Sequence, residues 1–274
     1  MKLQSLITII RPVNGVMSAI AVYITALVTG TVSLSTLLIL PVFLAMLVVF
    51  LINSAGMVIN DIYDIEIDKI NKPKRPLPSG KISIKSAKIY AAILFIIGIG
   101  LSWFINIYAL GIALLASLLL IAYAAKFKKT LLLGNIIVSI LVGLSFIYGG
   151  LINMNIIPVL MLALLAFFSN LGREIYKTCE DVLGDKKASV NSIAIKYGVI
   201  RAKVLGSIFI ALAVVMSIVP FILGILGLSY LVVVVFADIA FALAIISPVA
   251  KSSKYVKMAM MIALLSFLIG AIII

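Results

Sequence analysis

The chain has 274 residues, of which 65% are hydrophobic and 11% charged, with a mean hydropathy of +1.34 and a formal net charge of +13. That composition excludes an ordinary soluble domain and points to an all-α membrane protein, in which each spanning helix satisfies its own backbone hydrogen bonds. With no histidine and one cysteine, Cys179, imidazole acid–base chemistry, histidine-ligated zinc or haem and an intrachain disulfide are all ruled out. Any bound metal must sit on oxygen.

Apolar stretches of about 17–25 residues, enough to cross a bilayer, recur at about 12–30, 35–59, 86–105, 108–125, 131–150, 156–174, 202–222, 228–249 and 257–274. They predict about nine transmembrane helices in one domain covering 1–274. The first stretch follows Arg11-Pro12, lacks a small-residue cleavage site and leads straight into further spans, so it reads as a retained span and not a cleaved signal. The connections at 31–34, 106–107, 151–155 and 223–227 contain no Lys or Arg, whereas the 22 basic residues gather chiefly at 69–88, 126–129, 173–203 and 251–257. The positive-inside rule therefore places the N-terminus and the basic loops in the cytoplasm and the C-terminus outside the cell membrane. The positive charge reads as topology and attraction to anionic membrane lipids, with no nucleic-acid or protein partner implied.

The carboxylates are gathered. Asp61, Asp64, Glu66 and Asp68 follow the second stretch, Glu174, Glu180, Asp181 and Asp185 lie at the end of the sixth, and Asp238 stands by itself inside the eighth. If the second helix continues through its cluster, Asn60, Asp61, Asp64 and Asp68 fall within about 100° of one face and Glu66 points to solvent. Asn170, Glu174, Lys177, Asp181 and Asp185 make a similar stripe on the sixth helix. Four crossings separate the clusters, so both belong on the cytoplasmic side, where two facing acidic stripes require positive charge between them. Hard divalent ions, magnesium first, suit such oxygen donors. Lys72, Lys74 and Arg75 follow one cluster, Lys186 and Lys187 the other, and Lys126, Lys128 and Lys129 end the fourth span, a pairing of acid for metal and base for phosphate that fits a diphosphate site. Solvated loop charges are the plainer reading; the agreement of spacing, helical phase and sidedness in both clusters argues against it. The loops 69–85 and 186–200 are expected to cap the helix ends.

Among residues inside apolar runs, Asn14 and Asn170 are expected to line the pocket and Asn53 to join helices. Asp238 lies about 15 Å from the cytoplasmic helix ends by helical rise, where a structural partner or a protonated state is expected. Phe127, Tyr148, Phe167 and Phe168 offer aromatic faces to a cation, beside the plainer roles of packing and lipid contact.

Asn60-Asp61-x-x-Asp64-x-x-x-Asp68, followed by Asn71-Lys72-Pro73-Lys74-Arg75-Pro76-Leu77-Pro78-Ser79-Gly80, resembles the first signature of the UbiA superfamily of intramembrane prenyltransferases. Arg173-Glu174-x-x-Lys177-x-x-Glu180-Asp181-x-x-Gly184-Asp185-Lys186 resembles the second. Arg11-Pro12-x-Asn14, Tyr123-x-x-Lys126 and Gly134-Asn135 agree as well, and the likeness covers the whole chain. Thr178 is a departure, since related sequences often carry another acid there.

The resemblance implies a prenyl diphosphate donor and a lipid-like acceptor. Magnesium is then held by Asp61, Asp64, Asp68, Asp181 and Asp185, with Asn60 and Asp68 completing or orienting the first ligand set. Lys126, Arg75 and Lys177 contact the diphosphate beside Lys72, Tyr123 donates a hydrogen bond, and Asn14 and Asn170 line the substrate pocket. Within the superfamily, the length, the wording of the second motif and the Lys/Ile-rich, His-free composition are most similar to the archaeal ether-lipid branch. That implies transfer of a geranylgeranyl group from geranylgeranyl diphosphate to geranylgeranylglyceryl phosphate, forming a second ether bond. Prenylation of an aromatic acceptor in quinone synthesis is the alternative. A cation channel or transporter is a remote one, because the carboxylates gather at one face and not along a path.

Overall fold

The computed structural model describes residues 3–33, 39–187 and 190–272, and every regular element within them is helical. In chain order these are α1 (Leu3–Ile10), α2 (Pro12–Val28), α3 (Leu40–Tyr63), α4 (Ile65–Asn71), α5 (Ile84–Trp103), α6 (Ile107–Ala125), α7 (Leu133–Gly150), α8 (Ile157–Glu180), α9 (Val182–Lys187), α10 (Ile193–Tyr197), α11 (Val199–Met216), α12 (Val219–Ile222), α13 (Leu228–Ile246) and α14 (Val249–Ile272). A 3-10 turn, Phe127–Lys129, follows α6. Among the described residues, eight segments are long and apolar enough to cross a bilayer: α3, α5, α6, α7, α8, α11 with α12, α13 and α14. A ninth forms if α1 and α2, joined at a 54° bend, count as one span. The chain is a multi-pass membrane protein with the helix number that its apolar runs predict.

The bend has a local cause. Pro12 disfavours right-handed helical geometry in the residue before it, and Arg11 adopts φ 48°, ψ 66°, a left-handed conformation uncommon outside glycine. The helix therefore restarts at Pro12, with Arg11 turned toward the bundle.

Three buried clusters make the described interior. One joins α1, α2, α3, α5, α6 and α7; a second joins α2, α3, α7, α8, α11, α13 and α14; a smaller third joins α8, α10 and α11. Helices α2, α3 and α7 belong to the first two, and the α2–α7 contact is close: a Cβ added at Gly149 would lie 1.9 Å from Thr25 Oγ1 and 2.6 Å from the Val22 carbonyl oxygen. The α8–α11 contact works the same way, since a Cβ on Gly172 would meet the Gly206 carbonyl at 2.7 Å. In lipid no hydrophobic force drives helices together, and small residues that let backbones approach take over. The Gly149-Gly150 pair is such a close approach.

Candidate active site

Helices α3 and α8 end at the mouth of one cavity of about 570 Å³, walled by α2, α3, α6, α7, α8, α13 and α14. Both end alike. Helix α3 stops at Tyr63 and Asp64 takes φ −93°, ψ 1°, yet the Asp64 amide still donates to the Asn60 carbonyl at 3.0 Å and the Asp68 amide to the Asp64 carbonyl at 2.8 Å. At the end of α8, Asp181 takes φ −94°, ψ 7°, with its amide on the Lys177 carbonyl at 3.0 Å and the Asp185 amide on the Asp181 carbonyl at 2.9 Å. Neither helix runs unbroken through its cluster, but each keeps its i−4 bonds, and so its helical phase, across a single kinked residue. Asp61, Asp64 and Asp68 are consequently buried on one side, while the Glu66 carboxylate points out and pairs with Lys69 at 2.7 Å.

Buried carboxylates require compensation. Asp61 pairs with Arg11 and, at 3.3 Å, with Arg75, which also reaches Asp68 at 2.5 Å. Lys128 pairs with Asp64, and Glu174 lies between Arg173 at 2.8 Å and Lys177 at 3.3 Å. Asp181 is exposed and has no ion pair among the described residues. Burial, reinforced by the Asp181 charge, pushes the Asp185 carboxyl up to about 6. Asn60 Oδ1 is buried with no hydrogen-bond partner. The positive charge expected between the two acidic stripes is thus carried by side chains, and among the described residues no three carboxylates converge on one point.

Of the residues singled out from sequence, Asn60, Asp64, Asp68, Lys72 and Arg75 line the mouth on the α3 side, and Lys177, Asp181 and Asp185 on the α8 side. Asn14, Tyr123 and Asn170 line the wall below, where Asn170 Nδ2 also donates to Ser139 Oγ at 3.1 Å. Asp61, at 1% exposure, lies behind Arg11 and Arg75 and outside the lining. Lys126 is also outside: it is exposed, with its ammonium 5.9 Å from the Phe127 ring centre. Lys128 takes the inward position because the 3-10 turn redirects the chain as soon as α6 ends, so extrapolating the α6 phase fails there. Of the four aromatics, Tyr148 lines the cavity and Phe127, Phe167 and Phe168 do not; Phe146, Phe241 and Phe267 do instead.

Asn53 Nδ2 donates to Ser18 Oγ at 3.3 Å, joining α3 to α2. Asp238 has the structural partner expected of it, Ser217 Oγ at 2.8 Å, beside the Tyr230 hydroxyl that donates to the Ser217 carbonyl at 2.5 Å, yet it also lines the cavity. Glu180 leaves the site and accepts from the Ser253 amide at 2.7 Å and hydroxyl at 2.6 Å, tying α8 to α14. The described parts of the two loops fold over the mouth, with Arg75 returning to Asp68 and the Asn191 amide bonding the Lys129 carbonyl at 3.1 Å; residues 188–189 of the second loop lie outside the described residues. Arg11, Arg173 and Glu174 stood in the motifs without an assigned place in the site, and Lys257 had no sequence signal beyond its charge.

Known proteins share this fold. The chain is 44% identical over 279 residues to digeranylgeranylglyceryl phosphate synthase of Methanocaldococcus jannaschii, covering 99% of this chain and 97% of that one. A structure solved in work on the biosynthesis of digeranylgeranylglyceryl phosphate synthase in membranes superposes with TM-score 0.80 at 43% identity, over 99% of both chains. A UbiA homologue from Archaeoglobus fulgidus, solved with GPP and Mg2+, shares the fold at TM-score 0.70 and 20% identity, over 98% of this chain and 100% of that one. Residues 16–268 match the UbiA prenyltransferase family, and the chain belongs to that family.

Proposed function

We propose that residues 1–274 act as one domain that transfers a geranylgeranyl group from geranylgeranyl diphosphate to geranylgeranylglyceryl phosphate, with magnesium, on the cytoplasmic side of the cell membrane. The observation that carries this is the 44% identity to digeranylgeranylglyceryl phosphate synthase over 99% of the chain, together with two acidic motifs at the mouth of an otherwise largely apolar cavity. In the reaction the acceptor hydroxyl oxygen bonds to C1 of the donor, the C1–O bond to diphosphate breaks with its electron pair leaving on diphosphate, and the hydroxyl proton passes to diphosphate or water.

The donor set suits a hard cation. Asp64, Asp68 and the unpartnered Asn60 Oδ1 stand on one side of the mouth and Asp181 and Asp185 on the other, all oxygen. Magnesium, when bound, supplies positive charge to the leaving oxygens. Asp61 keeps Arg11 and Arg75 aimed at the mouth. Arg75, Lys128 and Lys177 reach both their carboxylates and the mouth, so each could turn onto the diphosphate, Arg75 and Lys128 thereby freeing Asp68 and Asp64 oxygens for the metal. The apolar wall below, with Phe146, Phe241 and Phe267, keeps water from the allylic cation and takes the hydrocarbon chain.

The test is mass-spectrometric analysis of products from the purified protein given geranylgeranyl diphosphate, magnesium and competing acceptors: geranylgeranylglyceryl phosphate, 4-hydroxybenzoate and a dihydroxynaphthoate. The doubly prenylated glycerol phosphate is expected. A prenylated ring would move the protein to quinone synthesis.

A further inference from the structure

The cavity wall between α2, α8 and α14 carries three cations, of which Arg11 and Arg173 pair with Asp61 and Glu174 of the acidic motifs and Lys257 has no such partner among the described residues. Lys257 of α14 donates to Asn14 Oδ1 at 3.1 Å, and no carboxylate among the described residues pairs with it. Its charged neighbours are Arg173 and Arg11, both cations. Arg173 uses one terminal nitrogen on Glu174, but its Nε is buried without a partner. Arg11 Nη1 and Asn14 Nδ2 both end on the thioether sulfur of Met57, at 3.6 and 3.8 Å, a weak acceptor for such donors. A neutral amide oxygen as the one acceptor for a half-buried ammonium leaves the charge without a counterion among the described residues. All four side chains line the cavity.

We infer that Lys257, Arg173 and Asn14, with Arg11 shared with Asp61, form a second anion subsite that holds the phosphate monoester of the acceptor apart from the diphosphate of the donor. This rests on the proposed function and assigns its acceptor a place. Arg173 precedes Asp181 by about 12 Å of helical rise along α8, so the subsite lies below the metal-binding mouth and leaves room for the reacting carbon between the two. A phosphate monoester fits better than a ring carboxylate. It carries close to two negative charges and three tetrahedrally arranged acceptor oxygens, and the donors approach from three helices.

The experiment compares Lys257→Gln, Lys257→Arg and Asn14→Asp with the parent protein, measuring KM for each substrate and, without donor, equilibrium binding of radiolabelled geranylgeranylglyceryl phosphate. Lys257→Gln should raise the acceptor KM about ten-fold, the loss of one charge-assisted hydrogen bond, while the donor KM stays within about two-fold. Lys257→Arg should restore most of the binding. Asn14→Asp, which gives Lys257 a carboxylate partner and so favours folding, should weaken acceptor binding in the same direction. Equal rises in both KM values, no change in either, or a Lys257→Arg variant no better than Lys257→Gln would overturn the subsite, as would a Lys257→Gln effect confined to 4-hydroxybenzoate. If the parent protein binds the phosphate lipid through Lys257 but does not prenylate it, the proposed reaction fails and the subsite stands. Binding indifferent to all three substitutions removes the subsite whatever the activity.

Discussion

Asp61 and Asp181 belong one to each motif but differ in what surrounds them, and substitution should separate the two. Asp181 is exposed at the mouth with no ion pair among the described residues, so Asp181→Ala should lower kcat/KM by about 10²-fold or more and leave the melting temperature in detergent unchanged. Asp61 is buried against two guanidiniums, and Asp61→Ala strands Arg11 while Arg75 keeps Asp68, so activity and stability should fall together, the latter by roughly 3 kcal/mol. Equal melting temperatures for the two variants would contradict the buried pairing. Lys128 and Lys126 offer a second contrast. Lys128→Ala should cost about 10²-fold in kcat/KM by removing the cation on Asp64, whereas Lys126→Ala should stay within about two-fold, and steady-state kinetics on the pair decides it.

Helix contacts in this bundle depend on small residues at a few close approaches. Gly172 on α8 and Gly206 on α11 face each other, with the Ile210 side chain 2.5 Å from where a Cβ at Gly172 would sit. Helix α8 carries Glu174, Lys177 and Asp181, so displacing it moves half the site. Gly172→Val should cost about 1–3 kcal/mol by overpacking, visible as a fall of roughly 2–10 °C in melting temperature, and should reduce activity beyond that because α8 shifts. An unchanged melting temperature would mean that the α8–α11 contact gives way easily. The break between α11 and α12 has a different origin. Pro220 is the second residue of α12, and Ser217, beside the break, donates through its hydroxyl to Asp238 of α13, so the deep carboxylate fastens one helix to the next.

The chain as a molecule has one acidic, basic-ringed end and one plain end, and charge predicts which faces the cytoplasm. In a Cys179→Ser background, Asn155→Cys in the α7–α8 connection should react with a membrane-impermeant maleimide on intact cells, and Lys74→Cys beyond α4 only after permeabilisation. Labelling in the reverse order would invert the topology and place the site outside. Removing divalent metal with EDTA should abolish turnover, with recovery on adding magnesium. Persistent activity without metal would leave the facing oxygen donors without their proposed role.

Much of this was readable along the chain because the signals are local. Spans show as apolar runs of bilayer length, and the faces of Asp61, Asp64 and Asp68, with Glu66 outside, follow from helical phase, which the i−4 bonds preserve across Asp64. The two motifs carry the family in the same local way. What could not be read depends on which helices are neighbours. Spans such as α11 and α14 show almost no one-sided hydrophobicity, so their periodicity marks no inward face, and only packing brings Lys257 of α14 to Asn14 of α2 across 243 positions of sequence. The exchange of Lys126 for Lys128 turns on a three-residue 3-10 turn that composition does not announce, and the place of Asp61 behind Arg11 and Arg75 needs a left-handed residue and a returning loop. Phase and hydropathy are properties of neighbouring residues, whereas pairing of buried charge is settled by the helices that meet, and in a membrane those meetings rest on close small-residue packing that leaves little trace in hydropathy.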